Sequence, residues 1–112
     1  MNTEGLTRLP TTREIHTAEV CRAHNFRFHQ LQEWRKTPAR VAARAELWHR
    51  LVIREKGCTL TMGARYLRKH HTTALNSLRK YSSEHYGTGP KAKLSEMRQA
   101  YLESLKTERV AA

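Results

Sequence analysis

Acidic side chains, aromatic rings and cysteines are all scarce in this chain of 112 residues, and each scarcity closes a route to function. The ten carboxylates are scattered, with no DxD or ExxE pair of the kind that would hold magnesium for a nuclease. Aromatic residues make up 7% of the sequence, little material for a platform that stacks successive bases of a single strand. Cys21 and Cys58 have no CxxC partner and read as reduced, semi-apolar residues of a reducing compartment, in contexts that suggest no activated nucleophile. The seven histidines, at 16, 24, 29, 49, 70, 71 and 85, show neither an i, i+4 ligand pair nor a Cys/His zinc spacing. No metal, no cofactor, no catalysis and no small-molecule substrate are therefore expected. Met1 to Pro10 carries no apolar leader core, and no run approaches the length of a membrane span. The expected location is cytoplasmic and nucleoid-associated, with no membrane partner.

What is abundant is positive charge. Twenty-one lysines and arginines oppose ten carboxylates, a formal charge of +11 with the histidines neutral. Such an excess costs self-repulsion and points to a polyanionic partner, with nucleic acid first. The length fits one domain built around one core.

Hydrophobic periodicity and end signals divide the chain into helices, with no strand pattern, repeat or low-complexity tract. Residues 1–10 read as a loose arm, residues 11–107 as the folded domain and residues 108–112 as a tail. Thr11 and Glu14 have the spacing of a capping box, opening a helix to about Ala23 with Ile15, Ala18, Val20 and Cys21 available for burial. Asn25 suits a left-handed stop. Phe26, Phe28 and Leu31 mark a turn into a short helix ending near Trp34. Thr37-Pro38 then starts a long helix predicted to run to Lys56 and close at Gly57, with Val41, Ala45, Trp48 and Val52 as its buried stripe, widened by Leu47 and Leu51. Trp34 and Trp48 are both expected to be core residues. A short helix from Thr59 to about Leu67, with Gly63-Ala64 allowing close packing, precedes a helix from about His70 to Glu84. Gly87-Thr88-Gly89-Pro90 is a break, and a last helix from Leu94 to Thr107 carries Met97, Tyr101 and Leu105 at fourfold spacing. The expectation is an all-α fold, a compact bundle of about five to six helices containing a helix-turn-helix.

The stretch Arg68-Lys69-His70-His71-Thr72-Thr73-Ala74-Leu75-Asn76 concentrates donors at a helix start while the later turns are apolar on one side. A helix built this way can enter a DNA groove with its first turn and pack its back on a core. Ala74, Leu75, Leu78, Tyr81 and Ser82 form the predicted inner face; Thr72, Thr73, Asn76, Arg79 and Lys80 form the outer one. A second basic cluster, Arg35, Lys36, Arg40 and Arg44, gathers at one end of the long helix beside a loop, which favours phosphate contact over a merely solvated face.

In this order of parts the chain, from about Ile15 to Leu105, resembles domain IV, the DNA-binding domain of the bacterial chromosomal replication initiator DnaA. Val20-Cys21 through Phe26, Phe28 and Leu31 is similar to that family's first helix and short second helix. Trp34-Arg35-Lys36-Thr37-Pro38-Ala39-Arg40-Val41-Ala42-Ala43-Arg44 is similar to its basic loop and the opening of its long helix. Met62-Gly63-Ala64-Arg65-Tyr66 through His71-Thr72-Thr73 falls on its "IG…F" and "DHTTV" signature. The resemblance implies a Trp-repressor-like helix-turn-helix, with the basic loop on the backbone and minor groove and the HTT helix in the major groove. It implies Arg35 and Lys36 as loop contacts, Arg44 as a phosphate contact, and Lys69, His71, Thr72 and Thr73 as recognition-helix contacts.

Three departures bear on function. The family's Asp before HTT is His70 here, an acceptor replaced by a possible donor. The family's turn glycines are Leu67 and Arg68. No Gly-x-x-x-x-Gly-Lys loop is present, so the chain by itself is not expected to be an ATP-driven initiator. The implied role is a stand-alone, sequence-specific double-stranded DNA-binding regulator of transcription or of a replication origin, bacterial or phage. Two alternatives remain open. One is a non-specific binder of DNA or RNA. The other is a protein-interaction module that modulates the initiator, or pairs with a second copy of itself or with another replication or transcription protein, through the Met97–Leu105 helix.

Overall fold

A computed structural model describes residues 11–55 and 58–111, with side chains described as far as residue 107. The described residues form six α-helices and no strand: α1 (Thr12–His24), α2 (Phe28–Gln32), α3 (Pro38–Trp48), α4 (Leu60–Tyr66), α5 (His71–Tyr86) and α6 (Leu94–Ala111). The all-α expectation holds. Residues 1–10, taken above as an arm, and the proposed stop at Gly57 lie outside the described residues. The last helix continues through the positions expected to be a tail, as far as Ala111.

Local end signals position most helices. Thr11 and Glu14 close a reciprocal box, the Thr11 amide donating to Glu14 Oε1 at 3.0 Å and the Glu14 amide to Thr11 Oγ1 at 3.2 Å. Asn25 ends α1 at φ 58, the left-handed cap its short amide side chain tolerates. Thr37 Oγ1 accepts the Arg40 amide at 3.2 Å and Pro38 pre-sets the first turn of α3. Thr59 caps α4 and Gly87, at φ 73, ends α5.

The long central helix departs from its predicted form. From His49 to Arg54 it widens into a π-helix, continuous with α3, and the Glu55 amide reaches back five residues to the Arg50 carbonyl at 3.2 Å. Leu47, Trp48, Leu51 and Val52 are buried as expected, and the wider turn, which spreads side chains over more of the circumference, also encloses His49 and Ile53. Arg98 of α6 donates to the carbonyls of Val52 at 2.8 Å and Ile53 at 3.3 Å, satisfying acceptors at the end of the π segment. α3 packs against α1, α2 and α5, while the π segment packs against α1, α4 and α6. This strut is therefore enclosed on several sides, and each fully buried Leu, Ile or Trp on it contributes about 1.5–3 kcal/mol or more.

Other burial differs from the periodic reading. In α1, Val20 is buried as expected, but Ile15 is exposed and Thr17 takes the inward position, its hydroxyl 2.8 Å from Tyr66 Oη and 2.7 Å from the Arg13 carbonyl. Trp48 is core, and its indole donates to the Gly63 carbonyl at 2.8 Å. Gly63 lets α4 lie against the strut: a Cβ there would stand 3.0 Å from Val52 Cγ2 and 3.4 Å from Trp48 Cδ1. Met97 fixes α6 on the core.

Candidate nucleic-acid interface

α4 and α5 are joined by residues 67–70, and this junction positions the donor-rich helix start. Leu67 is fully buried beneath it and the Lys69 amide donates to the Ala64 carbonyl at 2.9 Å. Arg68 takes φ 56, the left-handed region for which glycine is the unstrained residue. His70 is the N-cap of α5, its Nδ1 accepting the Thr72 amide at 3.2 Å. That bond makes Nδ1 an acceptor, so a proton on the neutral ring sits on Nε2, the one nitrogen left to face outward as a donor. The His70 and His71 rings lie 4.2 Å apart, and Arg68, His70, His71, Thr72 and Thr73 are all exposed.

The second cluster divides sharply. Arg35 and Lys36 are exposed on the loop between α2 and α3. Arg44, expected to reach a phosphate, instead is 4% exposed and spends its guanidinium inside the protein. Its Nε donates to the Leu31 carbonyl and its Nη1 to the Arg35 carbonyl, each at 2.8 Å, and Nη2 donates to the Glu33 carbonyl. Burial, and then the neighbouring Arg40, lower its pKa, while Glu33 opposes the shift. Arg40 is likewise withdrawn, with Nη1 3.3 Å from Glu33 Oε1 and its guanidinium over the Phe26 ring at 5.7 Å. Lys69 is half-buried, and its Nζ donates to the carbonyls of Gln32, at 3.1 Å, and Glu33. Burial first, and then Arg44 and Lys36, lower its pKa. Arg40, Arg44 and Lys69, expected at the DNA surface, are thus turned inward, Arg44 and Lys69 to backbone carbonyls and Arg40 to the Glu33 carboxylate.

These withdrawn cations have a collective effect. Between them they hold the carbonyls of residues 31, 32, 33 and 35, fixing the loop's path and tying it to the start of α5. What the loop presents outward is Trp34, Arg35 and Lys36. Trp34, expected to be core, is 83% exposed. Its sequence setting carried a signal that periodicity could not: it stands among Glu33, Arg35 and Lys36 just before a Thr-Pro helix start.

Asn76 and Lys80 are exposed further along α5 and, with Lys36, line a groove of about 780 Å³ between α3 and α5. Glu46 and Glu84 line it too, so the groove carries mixed charge. The chain matches no protein-family model, no curated protein and no solved structure.

Among the described residues no group of three or more His, Cys, Asp or Glu side chains could hold a metal ion, and no helix is long and apolar enough to cross a membrane. Burial pushes both thiols up, away from the thiolate form a nucleophile needs. One buried polar group was missed by sequence reasoning. His49, on the π segment, is fully buried against the rings of Tyr81, Tyr86 and Tyr101, with no hydrogen-bond partner for either ring nitrogen among the described residues. Burial, with Arg54 and His85 nearby, lowers its pKa to about 3.

Proposed function

We propose that the protein binds double-stranded DNA sequence-specifically through a two-part surface, regulating transcription or a replication origin. The first turn of α5 lies in the major groove, and the loop of residues 33–37 lies on the adjoining backbone and minor groove. The observation that carries this reading is the Lys69 bridge. By bonding the Gln32 and Glu33 carbonyls from the foot of α5, it makes the exposed donors Thr72, Thr73 and His71 and the exposed cations Arg35 and Lys36 parts of one rigid edge. Residues on separate, independently moving segments would pay an ordering cost on binding that this arrangement has already met.

In this reading α4, the turn at residues 67–70 and α5 are a helix-turn-helix similar to that of DnaA domain IV. Arg35, Lys36 and Arg68 supply phosphate contacts and the counterion release that brings the protein to DNA. Thr72 and Thr73 face base edges, where a hydroxyl donates or accepts and a threonine methyl can meet a thymine methyl. His70 offers Nε2 as a donor where the resembled family has an acceptor, so the preferred site differs at that position. Selection from a random-sequence duplex pool, followed by sequencing, tests this. Enrichment of one short motif is expected, weakened in Thr72→Ala and Thr73→Ala. Recovery of no motif, with equal competition by unrelated DNA and by tRNA, overturns the sequence-specific reading in favour of non-specific nucleic-acid binding.

A further inference from the structure

We propose that Trp34 is a stacking wedge, its indole inserted at a base step in the minor groove beside the site that α5 occupies. The inference rests on the DNA-binding reading above and adds to it a specific deformation of the duplex. Three observations carry it.

The first is exposure. Trp34 is 83% exposed, the most exposed of the large hydrophobic side chains in the described structure. An indole left in water forgoes the burial that makes tryptophan a core residue. The second is rigidity. A solvent-facing tryptophan on a loose loop would need no explanation, but this loop is clamped from behind. Arg44 is desolvated to hold the carbonyls of Leu31, Glu33 and Arg35, and Lys69 holds those of Gln32 and Glu33. Desolvating a guanidinium is costly, and here its hydrogen bonds all go to fixing the backbone on either side of Trp34. The third is charge. Arg35 and Lys36 follow Trp34 directly and are exposed, with no hydrogen bond or ion pair from either side chain to the described protein. The start of α5, with exposed Arg68, is tied to the same loop through Lys69. An apolar, π-faced group flanked by unpaired cations fits a partner that offers phosphates beside stacked rings. Duplex DNA does so at every step.

An apolar side chain entering between base pairs unstacks them and kinks the duplex toward the major groove, widening the minor groove around the flanking basic residues. The cost of unstacking depends on the step, lowest at flexible pyrimidine–purine steps. Trp34 therefore adds sequence preference through deformability at a position where no side chain reads a base edge.

The test uses the full chain, a duplex recovered by site selection and a random-sequence duplex of equal length. Of the two tryptophans, Trp48 is buried and Trp34 is exposed, so acrylamide quenching of the free protein reports Trp34. On duplex binding, Trp34 should become shielded and its emission quenched by base stacking. Trp34→Ala should bind about tenfold or more weakly with an unchanged salt slope, because an indole releases no counterion. Trp34→Phe should recover part of the loss, and a circularisation or gel-mobility bend seen with wild type should be absent with Trp34→Ala. Helical circular dichroism and melting temperature should be unaltered in both variants, since the side chain lies outside the core. If wild type binds duplex while Trp34 stays quenchable and Trp34→Ala binds equally well, the wedge is wrong and the DNA-binding reading survives. If no duplex binds at low salt, both fall. Shielding of Trp34 by phosphatidylserine vesicles but not by duplex also overturns the wedge.

Discussion

The Nζ of Lys69 lies 3.1 Å from the carbonyl oxygen of Gln32, joining the foot of α5 to the loop that follows α2. A lysine that sequence reasoning assigns to DNA is thus a strut between the two segments proposed to bind it. Lys69→Met keeps the aliphatic stem and removes the bonds. A stability loss of about 1 kcal/mol is expected from chemical denaturation. Its effect on DNA binding should be less than additive with that of Arg35→Ala, because both act through one loop. A double-mutant cycle on duplex affinity measures this.

Arg44 and Arg35 should separate cleanly, though both are arginines of one basic cluster. Arg44→Lys leaves the carbonyls of Leu31, Glu33 and Arg35 without the planar fork that serves all three, so a destabilisation of about 2–4 kcal/mol is expected. Arg35→Ala should leave the melting temperature unchanged and lower the slope of log affinity against log salt by about one. Equal melting temperatures for the two variants would contradict the clamp.

Arg68 holds a left-handed φ of 56 at which glycine carries no side-chain penalty. Arg68→Gly should stabilise the fold by about 0.5–1 kcal/mol while weakening DNA binding. A thermal melt paired with a binding titration checks the opposing signs, and a destabilised variant would mean that the arginine side chain supports the turn.

Gly63 is where α4 meets the strut. Gly63→Ala sets a gain in helix propensity of about 1 kcal/mol against a methyl 3.0 Å from Val52 Cγ2, so its net effect should be small. Gly63→Val cannot be absorbed that way and should cost about 2–3 kcal/mol. Urea unfolding of the pair gives the ordering.

His49 makes the fold sensitive to acid. Unfolded, its imidazole takes up a proton near the ordinary value of 6.5; folded, it resists until about pH 3. The unfolded chain therefore binds more protons between those limits, and stability falls as pH drops from about 6.5 toward 3. Protonation of this group costs the fold nothing above that window and on the order of 5 kcal/mol by its acid end. His49→Phe removes the titration and two unpartnered ring nitrogens. It should raise stability at neutral pH by about 1–2 kcal/mol and flatten its decline in acid. Denaturation midpoints across this range, for both proteins, show whether the slope belongs to His49.

Much of the scaffold is determined by sequence alone, because the rules involved act over a few residues. The Thr11–Glu14 box, the left-handed Asn25, the Thr37-Pro38 start and the Gly87 stop each depend on bonds or dihedrals within one turn of chain. The inner face of α5 follows in the same way from spacing, with Ala74, Leu78 and Ser82 all buried. The fates of the long cations are different. Arg44 is taken up by carbonyls 9 to 13 residues away, and Lys69 by carbonyls 36 and 37 residues away. A flexible charged stem can reach solvent or a carbonyl, and only the assembled bundle says which is nearer. The π widening from His49 is also a tertiary outcome, formed where α1, α4 and α6 converge on one strut and Arg98 takes the Val52 and Ile53 carbonyls. Trp34 follows from both levels. Its sequence places it beside Arg35 and Lys36, but its outward position is decided by the clamp behind it, formed when Arg44 and Lys69 turn inward.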